Sequence, residues 1–318
     1  MKKLIITIDT EGDDLWHWRQ GQPITTENTL FLPRFQKTAN RYGFYPVWLA
    51  NEEMISDQRF IRFIRPVERD HLGEIGMHLH AWNSPPDYAL PVQTNHAPYL
   101  IEYPPGIMDE KISSLTDHIR SAVGIQPVSH RAGRWATDSN YFVLLQKHGY
   151  LVDCSVTPHV DWSRQPGQTA CSGGSNYQCA PEQPYMIDRL LETPVTIRSV
   201  RRIFPPQRFS ATELAKSVYR GIRPRALWLR PNGRNLRQML YLLETVHRSE
   251  NDDYAMFMLH SSELMPGGSP TFPYKDSIEK LYADLEALFA FAAERFEGST
   301  LRQYQHAFSS SHSDKSIR

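Results

Sequence analysis

The chain is short of cysteine, long apolar runs and surplus charge of either sign, and each shortage excludes something. Its 318 residues hold three cysteines, Cys154, Cys171 and Cys179, an odd number without Cys-x-x-Cys spacing. That argues against a disulfide framework and a thiolate zinc cluster, and for ordinary thiols in a reducing compartment. No stretch approaches the roughly 18 apolar residues of a membrane-spanning helix. Lys2 and Lys3 precede an apolar run, but the run is too short for a secretion signal and leads directly into acids. A cytoplasmic protein is expected. Lysines and arginines number 35, and so do aspartates and glutamates, so the formal net charge is zero and general nucleic-acid binding is not expected. Neither an internal repeat nor a linker is visible. One domain over 1–307 is expected, with a Ser-rich, unstructured tail at 308–318.

What the chain does have is a core and an alternating pattern. Forty per cent apolar residues, with 11% aromatic, suffice for a large buried interior. Strand-like segments recur at 3–9, 44–50, 73–79, 127–131, 150–155 and 254–260. Helical patterns lie between several of them: 108–123 closed by Gly124, and 138–148 behind a Thr137 cap. A third, 275–296, places Ile278, Leu281, Tyr282, Leu285, Leu288, Phe289 and Ala292 on one face. Such alternation predicts an α/β fold around a parallel sheet or barrel. Residues 84–107 and 160–185 read as long loops, which in compact domains are commonly functional.

Polar clusters sit at the ends of successive strands. The first strand runs Leu4-Ile5-Ile6-Thr7-Ile8 into Asp9-Thr10-Glu11-Gly12. Asp9 and Glu11 are two apart, so an extended backbone aims both to one side. Alone, the pair also fits solvated loop acids. His78 and His80 end a second strand at a spacing that lets them share a cation. Arg131 ends a third, placed to hold a carboxylate ionised through a bidentate contact. Arg134 and Trp135 follow it, with Arg134 suited to substrate or to the surface. Asp153, Val156, Asp161 and Trp162 follow a fourth strand, and Leu259 and His260 close a fifth. If the strands are parallel, all five clusters converge on one rim, where such folds place their chemistry.

Residues 198–237 stand apart: ten arginines and Lys216 against one acid, Glu213, with Phe204, Phe209, Tyr219 and Trp228 interleaved. This segment, with Arg230 within it, suits a phosphate, an anionic sugar or a membrane surface, and equally a solvated helical excursion.

The order of these five clusters resembles the polysaccharide deacetylases of carbohydrate esterase family 4, the NodB-homology group. Within it, the chain looks nearest to deacetylase-like proteins of lipopolysaccharide and O-antigen clusters. The resemblance covers about residues 4–295. It implies an α/β fold, a distorted (β/α) barrel of about seven parallel strands, and hydrolysis of acetyl groups with a divalent cation, zinc being expected. By position, Asp9 matches the general base, Glu11 the metal-binding acid, His78 the first metal histidine and Arg131 the partner of the base. Asp161 and Trp162 match the pair that shapes the groove, and Leu259 and His260 the pocket leucine and the general acid. Two departures stand out: the usual adjacent aspartates are Asp-x-Glu here, and Trp82 lies four residues after His78, where the second metal histidine is usual. His80 is the expected substitute.

The implied mechanism has Asp9 taking a proton from attacking water while Arg131 keeps it ionised. A backbone N–H near Val156 would stabilise the oxyanion, and His260, charge-paired with Asp161 or Asp153, would protonate the leaving amine. Trp162 and Leu259 would enclose the acetyl methyl, with Trp82, Arg134, Trp135 and Arg230 also on the substrate side. The expected partner is a saccharide, nucleotide- or lipid-linked, with peripheral membrane contact through the basic segment. Two other readings keep the fold: hydrolysis of a non-sugar amide or imide, and a catalytically inactive carbohydrate binder.

Overall fold

The computed structural model describes residues 1–19, 21–169, 173–202 and 224–313. The chain opens with β1 (Lys2–Thr10), α1 (Leu32–Arg41), β2 (Val47–Ala50), α2 (Glu52–Ser56), α3 (Gln58–Arg69) and β3 (Glu74–Leu79). It continues through α4 (Pro105–Val123), β4 (Ser129–Ala132), α5 (Ser139–Lys147), β5 (Val152–Asp153), β6 (Tyr185–Ile187) and β7 (Leu190–Glu192). After the hairpin β8 (Ile197–Val200) and β9 (Arg225–Trp228) come α6 (Leu236–Arg248), β10 (Tyr254–His260), α7 (Lys275–Ala293), β11 (Phe296–Gly298) and α8 (Leu301–Ser313).

Seven strands in the order β10-β1-β2-β3-β4-β5-β7 are parallel, with β6 antiparallel at the edge and β11 beside the start of β1. The sheet curls into a half-barrel. Its open side is bridged by irregular backbone: Val195 N–H donates to Val156 O at 3.0 Å, Leu229 N–H to Thr196 O at 3.0 Å and Met258 N–H to Leu229 O at 3.2 Å. The parallel sheet is the one the strand–helix alternation predicts, and its curl makes it the distorted (β/α) barrel that the resemblance implies.

Period-two alternation sorts each strand into two faces. Leu4, Ile6, Ile8, Trp48, Ile75, Met77, Phe257 and Leu259 pack outward against the helices. Ile5, Val47, Leu49, Val152, Cys154, Met256 and Met258 fill the barrel. The inward series continues upward into polar side chains at the strands' carboxyl ends: Ile5-Thr7-Asp9, Met256-Met258-His260, Gly76-His78-His80 and Ser129-Arg131. Register aligns the series, pairing Asp9 with His260 and His78 with Arg131.

Several boundaries differ from expectation for local reasons. Asp138, not Thr137, caps α5, its carboxylate accepting from Tyr141 N–H at 2.8 Å; Thr137 instead meets the Tyr177 hydroxyl at 2.8 Å. Gly124, at φ 86°, ends α4 as expected. The Ser-rich segment expected to be unstructured from 308 instead continues α8 to Ser313, anchored upstream by the buried Leu301 and Tyr304. Within the basic segment, 203–223 lie outside the described residues. No helix among the described residues is long and apolar enough to cross a membrane.

Candidate active site

The carboxyl ends of β1, β3, β4 and β10 meet around a cavity of about 480 Å³, within the usual range of small-molecule sites. At its floor Asp9 is buried, and Arg131 Nη1 donates to its Oδ1 at 2.5 Å. Arg131 is itself fully buried and fixed at its other nitrogens, Nη2 donating to Thr7 Oγ1 at 2.9 Å and Nε to Cys154 O at 3.1 Å. Burial alone would raise the Asp9 carboxyl, but Arg131, His78 and His260 outweigh it and hold it below the usual carboxylate range.

Beside this pair, Glu11, His78 and His80 each offer one ligand atom, all within 4.8 Å of one another. His78 Nε2 lies 3.0 Å from His80 Nε2, and Glu11 Oε2 lies 3.5 and 3.2 Å from them. Burial works against the ionised Glu11, yet His260 and the two imidazoles hold its carboxyl well below the ordinary range. His78 donates from Nδ1 to Arg131 O at 3.0 Å, which leaves the Nε2 lone pair facing the other two groups. His80 Nδ1 lies 3.3 Å from the Asn51 amide nitrogen, and Asn51 Oδ1 is buried without a partner. The same amide nitrogen donates to Glu53 Oε1 at 2.7 Å, which fixes the Asn51 side chain behind His80. Two imidazoles and a carboxylate, with outer partners of this kind, fit a divalent cation with open positions.

His260 closes the ring, its Nε2 3.8 Å from Asp9 Oδ2 and 3.9 Å from Glu11 Oε1. Its backbone N–H donates to Glu263 Oε2 at 3.0 Å, and its Nδ1 lies 3.1 Å from that oxygen and 3.0 Å from Arg230 Nη2. Glu263 is fully buried and also faces Arg230 Nη2 at 3.2 Å. Burial would raise the Glu263 carboxyl; Arg230 and His260 reverse the sign and keep it ionised. The walls are rich in indole: Trp16 sets its edge 5.1 Å from the His260 ring, Trp82 stacks on His80 at 4.3 Å, and Trp18 stacks on Trp82 at 6.1 Å. Trp135, Trp162, Arg134, Arg230 and Arg19 also line the cavity.

No family model and no curated protein matches the chain in sequence. Solved structures do match in shape. A candidate polysaccharide deacetylase from Mycobacterium smegmatis superposes with a TM-score of 0.53 at 14% identity, over 98% of this chain and 92% of that one. The chain shares the fold of that structure. The Puue allantoinase superposes almost equally well, with a TM-score of 0.52 at 14% identity, over 98% of this chain and 90% of its own.

On this fold, Asp9, Glu11, His78, His80, Arg131 and His260 come together as their spacing implied, and Trp82, Arg134, Trp135, Trp162 and Arg230 reach the same cavity. Four placements differ. Asp161 does not reach His260: its Oδ1 accepts from the Ser163 N–H at 2.9 Å and hydroxyl at 2.6 Å, in the turn that starts the 160–185 loop. Asp153 faces the outer layer, where it pairs with His130 at 2.6 Å. The Val156 N–H is already committed to Glu192 Oε1 at 3.1 Å and is not free for an oxyanion. Leu259 has the outward parity of β10 and lies in the helix-side core, so it cannot enclose an acetyl methyl.

The partner of His260 that the sequence reading missed is Glu263. An acid three residues beyond a strand-end histidine is the spacing at which a side chain returns to the backbone N–H that starts a helical turn, and Ser261–Leu264 is such a turn. Trp16 and Trp18 were also missed; their signal was two indoles two apart directly after the first acidic cluster.

Proposed function

We propose that this protein is a metal-dependent hydrolase that removes an acetyl group from an N-acetylated sugar intermediate in surface-polysaccharide biosynthesis. The observation carrying this reading is the joint placement of an Arg-held carboxylate, a Glu-His-His ligand set and a carboxylate-held histidine on one rim. Bound by Glu11, His78 and His80, a divalent cation, zinc by donor type, would polarise the acyl carbonyl and acidify water. Asp9, kept ionised and oriented by Arg131, accepts the proton of the attacking water. His260, whose Nδ1 is held by Glu263, presents Nε2 toward the same centre and protonates the departing nitrogen. Trp16 and Trp162 offer flat apolar faces of the kind sugar rings pack against.

A binder would have no use for an acid and a base on either side of a ligand set, which weighs against an inactive relative. The equal likeness to an allantoinase keeps a non-sugar amide as the second reading. The cytoplasm is the proposed location, supported by Cys154 and Cys179 as free thiols.

The test measures bound metal and acetate release from a panel of N-acetylated sugars, with allantoin alongside. Asp9→Asn is expected to keep the metal and lose about 10²–10⁴ in kcat, whereas Glu11→Ala and His78→Ala are expected to lose both. Unchanged metal content in Glu11→Ala and His78→Ala would sink the ligand assignment, and turnover of allantoin alone would move the enzyme to the second reading.

A further inference from the structure

The charged groups lining the cavity do not balance. Asp9 is matched by Arg131 at 2.5 Å and Arg230 by Glu263 at 3.2 Å, while Glu11 belongs to the ligand set. Arg19 and Arg134 line the same cavity, and neither meets a carboxylate among the described residues. Among the described residues, Arg19 Nη1 donates to carbonyls of its own turn, His17 O at 3.2 Å and Trp18 O at 2.9 Å. Arg134 Nη1 donates to Ala97 O and Nη2 to Pro166 O, the latter at 2.9 Å. Glu102, the acid whose charge Arg134 feels, is taken by Tyr99 N–H at 2.6 Å and by Thr169 N–H and hydroxyl at 2.7 Å each.

Carbonyls solvate a guanidinium without neutralising it. Arg134 is half-buried with its guanidinium over the face of Tyr99 at 3.9 Å, so its charge is partly stripped of water. The backbone goes out of its way to put it there. Arg134 (φ 56°, ψ 23°) and Trp135 (φ 63°) are consecutive non-glycine residues in the left-handed region, in the turn Gly133–Trp135 that follows β4. Strain of this kind persists where surrounding structure enforces it, and it gathers at functional sites. These two bonds leave the guanidinium with further N–H donors, in the fork geometry that suits an oxyanion.

We infer that the substrate carries an oxyanion, carboxylate or phosphate, on a part other than the reacting acyl group, and that Arg134, assisted by Arg19, receives it. The inference rests on the hydrolase reading of the same cavity and narrows its substrate to anionic saccharides. A neutral sugar polymer would leave the half-buried Arg134 charge unanswered.

The test is binding, read by intrinsic tryptophan fluorescence of the full-length, metal-loaded protein titrated with inorganic phosphate, with glucuronate and with neutral N-acetylglucosamine. At least one anion is expected to bind roughly tenfold more tightly than the neutral sugar, and Arg134→Gln and Arg19→Gln each to weaken that anion about tenfold without a comparable effect on the neutral sugar. Preference for phosphate points to a phosphate-linked sugar, and preference for glucuronate to a uronate. Any affinity of the anions for the cation itself is common to wild type and variants, so dependence on the arginines is the deciding readout. Arg134 also ties the 84–107 loop to the 160–185 loop, and Arg19→Gln, which breaks only bonds within its own turn, guards against mistaking loop collapse for lost recognition. Equal weakening of all three ligands by Arg134→Gln, with no effect of Arg19→Gln, would make Arg134 a loop fastener and overturn the inference. Because binding needs no turnover, failure of every acetylated sugar to react would sink the proposed function and leave this result standing.

Discussion

His260 faces two kinds of carboxylate, and the difference between them sets its role. Toward the cavity its Nε2 stands nearly 4 Å from Asp9 and Glu11, close enough to feel their charge and too far for a hydrogen bond. Behind it, Glu263 accepts its backbone N–H and shares its Nδ1 edge with Arg230. The imidazole is therefore pinned by one acid and left exposed to the reaction by the others. Removing the charge while keeping the shape, in Glu263→Gln, deletes a charge-assisted hydrogen bond of about 1.5–3 kcal/mol and leaves Arg230 without its partner. We expect kcat to fall about ten- to hundredfold with metal content unchanged, and Glu263→Asp to recover part of the loss. Steady-state kinetics alongside metal analysis checks this; wild-type kcat in Glu263→Gln would reduce Glu263 to a cap on the turn at Ser261–Leu264. The sequence pointed to Asp161 for this role because the resemblance supplied an Asp-Trp pair and distance along the chain hides which loop returns to the site. Glu263 was closer in sequence, and only the backbone turn reveals it.

At the scale of elements, the strand ends were legible and the loops between them were not. Asp9, His78, Arg131 and His260 could be placed because strand periodicity fixes which residues share a face, and parallel order fixes which ends converge. The same periodicity argues against Leu259, whose odd position on β10 sends it outward, so parity was the stronger guide there. Val156 follows a strand of only two residues, β5, beyond which neither periodicity nor register constrains the backbone. The turn after β4 carries a further consequence. A Cβ on Gly133 would lie 2.5 Å from Leu79 O and 2.6 Å from the His80 ring, closer than real contacts allow. Gly133 thus lets β4 lean against the end of β3 and seats His80 beside Glu11. Gly133→Ala is expected to cost about 1–3 kcal/mol in urea unfolding and to weaken metal binding, because relief requires moving either the β3 backbone or a ligand ring. Full stability with unaltered metal affinity would show that the ring is not held from this side.

The whole molecule stores ionisable groups in two opposed sets, and their balance predicts how stability follows pH. Asp9, Glu11, Asp57 and Glu263 are held below their ordinary values, so the stability they confer is present above the normal carboxylate range and is lost as pH falls. Glu53 is the opposite case. Burial pushes it up to about 7, although Gly12 N–H at 2.9 Å, the Asn51 amide at 2.7 Å and the Asn83 amide all donate to it. Its folded value lies above its unfolded one, so between about pH 4.5 and 7 the unfolded chain gives up this proton first. Its contribution is therefore complete below pH 4.5 and declines as pH rises through 7, by at most about 3 kcal/mol. Glu74 and Glu192, also raised chiefly by burial, act with the same sign. In Glu53→Gln the amide oxygen can still accept from Gly12 and Asn51, but nothing titrates. Urea unfolding of chelated wild type at pH 5 and pH 8 should show stability falling toward the alkaline side, and Glu53→Gln should show a smaller fall, its remainder belonging to Glu74 and Glu192. The comparison is made without metal because Glu53 lies one residue's contact, through Asn51, from His80, and a bound cation would add its own pH dependence. An identical fall in variant and wild type would assign the alkaline loss to the other buried acids and leave Glu53 ionised in its cradle of donors.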